Sequence, residues 1–555
     1  MPPFKPQATL PTHEVTNMPP HLGDQDLWAS DRVLRDALAR EGGIWAEEKL
    51  AAFGKLAGRT EYFEKAEQAN RHTPELKAYD RNGMRINQIE FHPAYHDLMA
   101  LAIENELPSF AWRNEKPGGQ VVHAALTYMF NQVEGGVNCP MAMTYSVIPT
   151  LRTTPVIGDD WIPRLLSPAY DGRDVPVTEK PGATIGMFMT EKQGGSDVRS
   201  NSTRAVPVDG AKGPGAAYLL TGHKFFCSAP MCDAFLTLAY TDAGLSCFLV
   251  PRWTPAGERN NLFIQRLKEK LGNKSNASTE IEMQDTWGAM VGEEGRGIAT
   301  ILEMVQGNRY YCAFSSAGLM RQGLVQAIHH VSHRAAFQKK LIQQPLMRNV
   351  IADLALEVEA AVALTLRIGR AMDEAVNDES AAAFARIGTA ISKYWICKRA
   401  PSHIFEAMEC HGGPGYIEDS ILPRLYREAP VNSIWEGSGN VMCLDVLRAM
   451  QREEAAIPAI LAELEAARGG NRYLDVAIDM VKDDLANFND LELRARGVTE
   501  LLATTLQGSL LVRHGPAATS DAFCASRLGP RWTGAFGTLP SSVDFDAIIN
   551  RAAIG

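Results

Sequence analysis

The stretch Ile185-Gly-Met-Phe-Met-Thr-Glu-Lys-Gln-Gly-Gly-Ser-Asp197 marks a change in the character of this chain. It begins with an apolar run, typical of a buried strand, and ends in a segment rich in glycine and hydroxyl side chains. Its glycines let backbone amides approach an acceptor-rich ligand, and the Thr190 and Ser196 hydroxyls offer further hydrogen bonds. The same pattern is also typical of a polar hairpin turn, so both interpretations stay open at this point.

Short apolar runs continue downstream of this stretch and are separated by Gly, Pro and Asp as far as about residue 295. They lie at residues 217–221, 234–239 and 247–250. Their length and spacing predict a small antiparallel β domain.

Apolar residues at helical spacing flank this domain on both sides. Upstream, residues 31–40 and 96–104 show the spacing, and Ser30 is the expected N-cap of the first helix. Downstream, helices return near Ile298. Further along the chain, apolar positions trace one face of a long helix. The positions on that face are Ile351, Leu354, Val358, Val362 and Thr365.

The order helix, sheet, helix predicts a mainly α protein with a central antiparallel β domain. We place an N-terminal, mainly helical domain at residues 1–181, the β domain at 182–295, a helical bundle at 296–450 and a C-terminal helical extension at 451–555. The extension has ten Lys and Arg against fourteen Asp and Glu, a net charge of 10 − 14 = −4. Its locally basic stretch, which we interpret as a solvated face, contains Arg494, Arg496, Arg513, Arg527 and Arg531.

The composition is that of an ordinary globular protein, with 45% hydrophobic and 22% charged residues among 555. A net charge of −10 argues against a protein dominated by nucleic-acid binding. No apolar run is long enough to predict a membrane span, and the N-terminus lacks the pattern of a signal peptide. Nine scattered cysteines without a Cys-x-x-Cys pair predict a reduced, cytoplasmic protein with no metal site.

Two further segments follow strand-like runs. Thr221-Gly-His-Lys-Phe-Phe-Cys-Ser228 ends in two aromatics and a hydroxyl, so Phe226 could cover a flat heterocycle while Ser228 bonds a ring nitrogen. Ordinary core packing explains this segment equally well. The turn-rich segment Lys268–Ser278 joins two strand-like stretches and could serve either structure or a ligand.

Candidate phosphate contacts lie further along the chain. Arg334 has an aromatic, Phe337, one turn later, so the pair could hold a phosphate and flank an adenine. Gly412 and Gly413 lie where a backbone could approach a pyrophosphate, although a glycine cluster alone indicates only a turn.

The segment Ile434-Trp-Glu-Gly-Ser-Gly-Asn440 places one acid, Glu436, directly before Gly-Ser-Gly. Its apolar neighbours Ile434 and Trp435 predict a partly desolvated carboxylate, whose pKa is raised and which is then a better proton acceptor. An isolated Glu-Gly pair is also common in exposed turns.

In this order and spacing, these segments resemble the acyl-CoA dehydrogenase family over about residues 30–450. Three of them are most similar to its AidB-like branch, the alkylation-response flavoproteins similar to isovaleryl-CoA dehydrogenase. They are 189–198, 270–278 and 430–440. The resemblance implies that family's fold with an extra C-terminal helical domain, and FAD as cofactor.

The resemblance also implies roles for individual residues. Ser228 would bond flavin N5, Phe226 would stack on the ring, and Thr190 would bind near the pyrimidine edge. Ser228 and Phe226 stand where the family usually has Thr and Trp. The remaining implied cofactor contacts within the subunit are Met189, Gly195, Ser196, Trp435, Gly437, Ser438 and Asn440. Those implied for the FAD of a neighbouring subunit, in a homotetramer, are Arg334, Phe337, Gly412 and Gly413.

By the same resemblance Glu436 is the catalytic base, which removes the α-proton of an acyl-CoA while the β-hydride passes to the flavin. One subfamily carries its base on another helix, but the matching residue here is Asn308, which cannot act as a base. The branch's best-known member is implicated in DNA binding through a basic C-terminal domain, whereas the extension here is acidic.

Three functions therefore stay open. The first is an acyl-CoA dehydrogenase acting on a short or branched acyl group. The second is an alkylation-response flavoprotein that binds DNA and has little or no such activity. The third is an oxidase that passes electrons to oxygen, which would share every segment described above.

Overall fold

The computed structural model describes residues 6–487 and 489–554. Its N-terminal part is mainly helical, as predicted, but contains a two-stranded hairpin that the helical pattern did not indicate. The elements are α1 (Arg32–Arg40), α2 (Glu47–Ala57), α3 (Thr60–Arg71), β1 (Glu75–Tyr79), β2 (Arg85–Glu90), α4 (Pro93–Glu104), α5 (Phe110–Arg113), α6 (Gly119–Asn131), α7 (Asn138–Arg152) and α8 (Pro155–Leu165).

The predicted N-cap of α1 is wrong by one residue. Asp31, not Ser30, precedes the helix, and its side chain accepts a hydrogen bond from the Leu34 amide at 2.9 Å. Asp31 also accepts from the Tyr128 hydroxyl and pairs with Arg321, so a buried polar network fixes the start of the helix. A carboxylate serves both tasks, whereas a serine hydroxyl could not neutralise the arginine.

The apolar runs of the sequence located four strands of the central sheet, which has seven strands in the described part of the chain. The seven strands are β3 (Ile185–Phe188), β4 (Arg204–Pro207), β5 (Ala217–Ser228), β6 (Ala234–Thr241), β7 (Gly244–Pro251), β8 (Leu262–Leu267) and β9 (Ser278–Val291). Strands β6, β4, β5, β9 and β7 pair in that order, and β7 pairs again with β6, so these five form a closed ring.

The sheet is mixed, whereas a purely antiparallel sheet was expected. Most pairs are antiparallel, but β3 pairs with β6 in parallel, with Ile185 opposite Ala234, and β4 makes a single parallel contact with β6. Two strands, β4 and β5, lie between β3 and β6 in the chain. A connection of that length permits parallel pairing, which a short hairpin does not.

The second helical part surrounds one long, buried helix. Its elements are α9 (Gly297–His333), β10 (Ala335–Ala336), β11 (Lys339–Lys340), α10 (Pro345–Glu374), α11 (Glu379–Glu409), α12 (Gly413–Tyr416), α13 (Leu422–Glu428) and α14 (Gly439–Arg452). Helix α9 is buried on nearly every side over Gly307–Val325. A Cβ at Gly307 would lie 2.6 Å from the Ser146 hydroxyl, so glycine lets α9 approach α7 closely.

The C-terminal extension packs on this bundle through five helices: α15 (Ala456–Glu465), α16 (Arg472–Ala486), α17 (Leu491–His514), α18 (Ala517–Arg527) and α19 (Phe545–Ala552). Arg527 ends α18 inside the protein, 2.5 Å from Asp353 and 3.0 Å from Glu357, both on α10. Arg399 of α11 shares Glu357 at 3.1 Å. Across the two described ranges, no helix is both long and apolar enough to cross a membrane.

Candidate active site

The loop that carries Glu436 has a strained backbone held by two cations. Glu436 has φ 58°, in the left-handed region that non-glycine residues rarely adopt. Arg309 of α9 donates from Nε to the Glu436 carbonyl at 2.9 Å. Lys393 of α11 donates to the carbonyls of Trp435, at 2.8 Å, and Gly437. These bonds satisfy three consecutive carbonyls, which keeps the unusual conformation in place.

The Glu436 carboxyl has a raised pKa and one oxygen without a partner in the described parts of the chain. Its Oε2 atom is buried and has no hydrogen-bond partner among the described residues. Burial raises the pKa of Glu436 to about 7, although the Arg309 and Lys393 charges and the Asn308 amide act to lower it. Asn308, the position of the alternative base, thus lies beside Glu436, and its own side-chain atoms also lack partners within the described chain.

The Arg309 guanidinium is itself fixed by an acid. Asp445 of α14 accepts from Arg309 at 2.9 Å and from Arg386 at 2.8 Å and 2.9 Å. These arginines lower the pKa of Asp445, but burial, which acts to raise it, is the largest single influence. Helices α9, α11 and α14 therefore meet at the base of the Glu436 loop.

The β side of the site is the end of β5. Ser228 closes this strand, and its Oγ lies 3.2 Å from Oγ of Ser278 at the start of β9. Phe226 is 50% exposed, which leaves a ring face free for a ligand. Lys268 lies 4.4 Å from the centre of that ring and 3.5 Å from that of Phe225.

Cys139 joins the two halves of the site. This buried residue of α7 has a pKa raised to about 12 by burial, and the charge of Glu436 also raises it. Lys270 and hydrogen bonds from Asn276 and Ser228 act in the opposite direction. Cys139 therefore lies near enough to the predicted base and to the predicted N5 partner for both to influence its thiol.

The glycine-rich loop after β3 is anchored by Glu191. Its buried carboxylate accepts from the Lys224 ammonium at 2.9 Å, the Thr203 hydroxyl at 2.6 Å and the Ser202 amide at 2.7 Å. Although burial raises the pKa of Glu191, these partners together lower it to about 2. Glu191 is therefore an ionised structural residue.

The predicted ligand contacts of this loop lie close to the end of β5. The Thr190 carbonyl accepts from the Phe225 amide at 2.8 Å, and the Met189 carbonyl accepts from Asn201 at 2.9 Å. Gly195 and Ser196 are exposed, and a Cβ added at Gly195 would touch only the Thr190 methyl, at 3.9 Å. Gly195 and Ser196 therefore leave this part of the loop open to a ligand.

The remaining residues around Glu436 take different roles. Trp435 packs against the core of the strand region, and its indole donates to Asn432 at 3.1 Å. Ser438 precedes α14, and its hydroxyl makes no capping bond to the helix. Asn440 accepts from Arg496 of α17 at 2.8 Å, so the C-terminal extension reaches the edge of the site.

The other four predicted cofactor contacts lie elsewhere. Arg334 and Phe337 are in the hairpin after α9, so the aromatic is not one helical turn from the arginine as the spacing suggested. Phe337 is 93% exposed at φ 53°, and a Cβ at Gly412 or Gly413 would meet nothing within 4 Å. Along α9, Arg334 is about 38 Å from Arg309 at 1.5 Å per residue.

Several residues of the site were not identified from the sequence. Lys393, Asp445 and Cys139 belong to no segment with a recognisable ligand pattern, and Lys270 lies in the turn-rich segment Lys268–Ser278 without having been singled out there. Lys224 lies in the predicted segment Thr221–Ser228, and its place there was the only indication of a role in the site. No group of three or more His, Cys, Asp or Glu side chains in residues 6–487 and 489–554 could hold a metal ion.

Comparison with known proteins agrees with this arrangement. Three family models match in order: the adaptive response protein AidB N-terminal domain over residues 17–172, the acyl-CoA dehydrogenase middle domain over 186–286 and the acyl-CoA dehydrogenase C-terminal domain over 295–451. The chain is 42% identical to AidB of Escherichia coli (strain K12) over 94% of its length and 95% of that protein. The chain belongs to the acyl-CoA dehydrogenase family.

Within this family, the AidB-like branch predicted from the sequence is confirmed. Acyl-CoA dehydrogenase family member 11 of Caenorhabditis elegans is 30% identical over 82% of this chain and 74% of its own. The crystal structure of Caenorhabditis elegans ACDH-11 in complex with C11-CoA superposes with a TM-score of 0.83 at 26% identity, covering 95% of this chain and 93% of that one. That likeness confirms the predicted fold, including the C-terminal helices.

Proposed function

We propose that this member of the acyl-CoA dehydrogenase family binds FAD and dehydrogenates an acyl-CoA between its α and β carbons, with Glu436 as the base. The observation that carries the proposal is the Glu436 carboxyl, with one buried oxygen free and a pKa of about 7. A base with a pKa near the working pH combines a useful ionised fraction with a strong affinity for the proton.

The residues at the end of β5 fit a flavin. Phe226 offers an aromatic face, Ser228 a hydroxyl, and the loop at Gly195 and Ser196 offers exposed amides. When bound, FAD accepts the hydride equivalent that leaves the β carbon. We assign ring stacking to Phe226, the N5 hydrogen bond to Ser228, and pyrimidine contacts to Met189 and Thr190. Trp435, Gly437, Ser438 and Asn440 complete the cofactor contacts of the subunit.

Glu436 performs the acid–base part of the reaction. Its free oxygen receives the α-proton, and the Arg309 and Lys393 charges favour its ionised form before that step. Because Arg309 binds the carbonyl of Glu436 and Lys393 binds the carbonyls on either side, the backbone that carries the carboxyl keeps one conformation. Such pre-organisation contributes to the rate because little reorientation is needed.

The acyl-CoA class of substrate rests on the family and on the C11-CoA bound to ACDH-11. The sequence resemblance favours a short or branched acyl group, whereas the relative's ligand has a longer chain. We propose the short or branched group and keep a C11 chain as the second arm of the experiment.

We further propose that the subunits form a homotetramer with shared cofactor sites. Arg334, Phe337, Gly412 and Gly413 lie far from Glu436 within one chain, yet Phe337 and both glycines are exposed. A neighbouring subunit could bring them to the far end of FAD. Light scattering at several protein concentrations checks this, since a monomer would contradict it.

An anaerobic titration tests the proposed activity. Isovaleryl-CoA, butyryl-CoA and C11-CoA are added to the FAD-loaded protein while the flavin absorbance is recorded. Bleaching by at least one of them, lost in Glu436→Gln but kept in the exposed control Glu258→Gln, is the expected result. Absorbance that no acyl-CoA changes contradicts the proposed dehydrogenation, and bleaching that survives in Glu436→Gln contradicts the assignment of the base.

The alternative, a DNA-binding flavoprotein, receives less support from the C-terminal extension. Three arginines of its basic stretch are paired with acids of the same chain: Arg494 with Asp484 at 2.7 Å, Arg513 with Glu463 at 2.6 Å and the buried Arg527 with Asp353 at 2.5 Å. Phosphate binding needs unpaired cations and gives a steep salt dependence. Duplex binding that weakens steeply between about 50 and 200 mM salt would favour this alternative.

A further inference from the structure

Lys270 is a half-buried cation in the loop between β8 and β9, and it contacts Ser278, the neighbour of Ser228 at the predicted flavin-facing end of β5. Its ammonium donates to the Asn276 carbonyl at 2.7 Å, to Ser278 Oγ at 3.2 Å and to Asn273 Oδ1 at 3.5 Å. Within the described residues, no carboxylate oxygen lies within 4.0 Å of the Lys270 ammonium, which is the limit for an ion pair. All of its direct partners are therefore neutral oxygens.

The nearest acids are engaged elsewhere. Glu428 accepts from the Asn273 amide at 2.6 Å and from the Asn273 side chain at 2.7 Å. Glu134 accepts from Ser275 at 2.7 Å and from the Val137 amide at 2.6 Å. None of its direct partners carries a charge, so a group that gains negative charge near this ammonium would be stabilised by it.

Hydrogen bonds connect the Lys270 ammonium to Ser278 and Ser278 to Ser228, and these three residues form a row. An ammonium can only donate, so Ser278 Oγ accepts from Lys270 and keeps its own proton for Ser228 Oγ, 3.2 Å away. In that arrangement Ser228 accepts from Ser278, and its own proton is available to a ligand in the space at the end of β5. The row Lys270, Ser278, Ser228 thus presents a donor to whatever occupies that space.

We propose that Lys270 is a positioning residue that acts through Ser278 to fix Ser228 as a hydrogen-bond donor toward the flavin and that its charge favours flavin reduction. The inference rests on the proposed FAD site and deepens it. A nearby cation stabilises negative charge that a group gains, and the effect is strong in a buried setting. Lys270 itself touches neither substrate nor cofactor in this arrangement.

The pKa of Lys270 sets the pH range in which its charge can favour flavin reduction. Burial is the main cause that lowers the pKa of Lys270 to about 8, and the acidic groups facing it, the thiol of Cys139 and the carboxyls of Glu428 and Glu134, act to raise it. The cation is present below this pH and absent above it. The contribution to flavin reduction should therefore disappear as the pH rises through about 8.

The midpoint potential of the bound flavin, measured by dye equilibration between about pH 6.5 and 9.5, tests the proposal. We expect Lys270→Met to lower the equilibrium constant for two-electron reduction about tenfold at pH 7, which is about 30 mV. Above pH 8 the wild-type potential should fall to that of Lys270→Met, so that the two plots of potential against pH converge. The exposed Lys212→Met, a matched loss of one ammonium, should follow wild type.

A second variant keeps the test decisive. Ser278→Ala leaves the lysine in place but breaks the row, so it should weaken reduction less than Lys270→Met does. Should Lys270→Met fail to fold, an unchanged potential in Ser278→Ala overturns the proposal. Equal potentials in wild type and a folded, FAD-bound Lys270→Met also overturn it while leaving the proposed function intact. A wild-type protein that takes up no FAD instead contradicts the proposed function.

Discussion

At the scale of single residues, Glu436 combines backbone strain with a raised pKa. Proton abstraction requires its ionised form, so activity should be low when the carboxyl is protonated. We predict that kcat/KM for a bleaching acyl-CoA rises with pH to a plateau, with its midpoint near the pKa of about 7. Steady-state rates from pH 5.5 to 8.5 check this. A midpoint near 4.5, the ordinary value for Glu, would show that the carboxyl is hydrated in the working protein.

Lys393 controls the same carboxyl without touching it. Its ammonium bonds the carbonyls on both sides of Glu436 and its charge lowers the pKa of that residue. We predict that Lys393→Met raises the midpoint of the pH profile and lowers kcat at pH 7 by at least ~10-fold, because the loop loses its alignment.

The exposed Lys398→Met, on the same helix, provides the matched control for this experiment. It removes an equal charge but no bond to the loop, so its profile should match wild type. An unchanged midpoint in Lys393→Met would mean that Arg309 alone holds the loop.

At the scale of elements, the loop after β3 depends on the fully buried pair of Glu191 and Lys224. Removing one partner leaves an uncompensated buried charge, which typically costs ~3–5 kcal/mol. We therefore predict that Lys224→Met lowers the free energy of unfolding by about that amount. Urea unfolding measures the loss, and hydrogen exchange should rise in residues 189–203.

A matched comparison separates this effect from a general loss of lysine. Lys180 forms a second buried pair in the same region, with Asp233 at 2.7 Å. Lys180→Met should destabilise the sheet but leave exchange in the 189–203 loop close to wild type. Equal loop exchange in both variants would argue against a specific anchor at Glu191.

At the scale of the whole molecule, Glu357 couples the C-terminal extension to the bundle. Arg399 and Arg527 lower its pKa to about 2 in the folded protein, against burial, which acts to raise it. Since the folded pKa lies below the ordinary 4.5, its contribution to stability is complete above pH 4.5 and declines as the pH falls toward 2.

We predict that the free energy of unfolding of wild type falls more steeply over this acid range than that of Glu357→Gln, which cannot titrate there. Urea unfolding between about pH 2.5 and 6 measures both slopes. The exposed Glu492→Gln should retain the wild-type slope. Parallel curves for wild type and Glu357→Gln would show that other acids govern acid unfolding.

The sequence by itself determined the order of the helical and strand-rich regions and the family with its branch, and it singled out Glu436 as the predicted base. These follow from local patterns: apolar periodicity, glycine-rich turns and short segments whose residues are neighbours in the chain. Even the extra helices after residue 450 could be read in this way, whereas the parallel β3–β6 pair could not, because pairing partners leave no local mark.

Only the tertiary structure decided what surrounds Glu436. Arg309 and Lys393 meet the loop from helices that begin far upstream, and Cys139 and Lys270 reach the site from two further elements. Each is an ordinary residue of its own segment and gains its role only from burial beside the others. Burial and proximity across the chain set the pKa of a carboxyl, and no short stretch of sequence contains either.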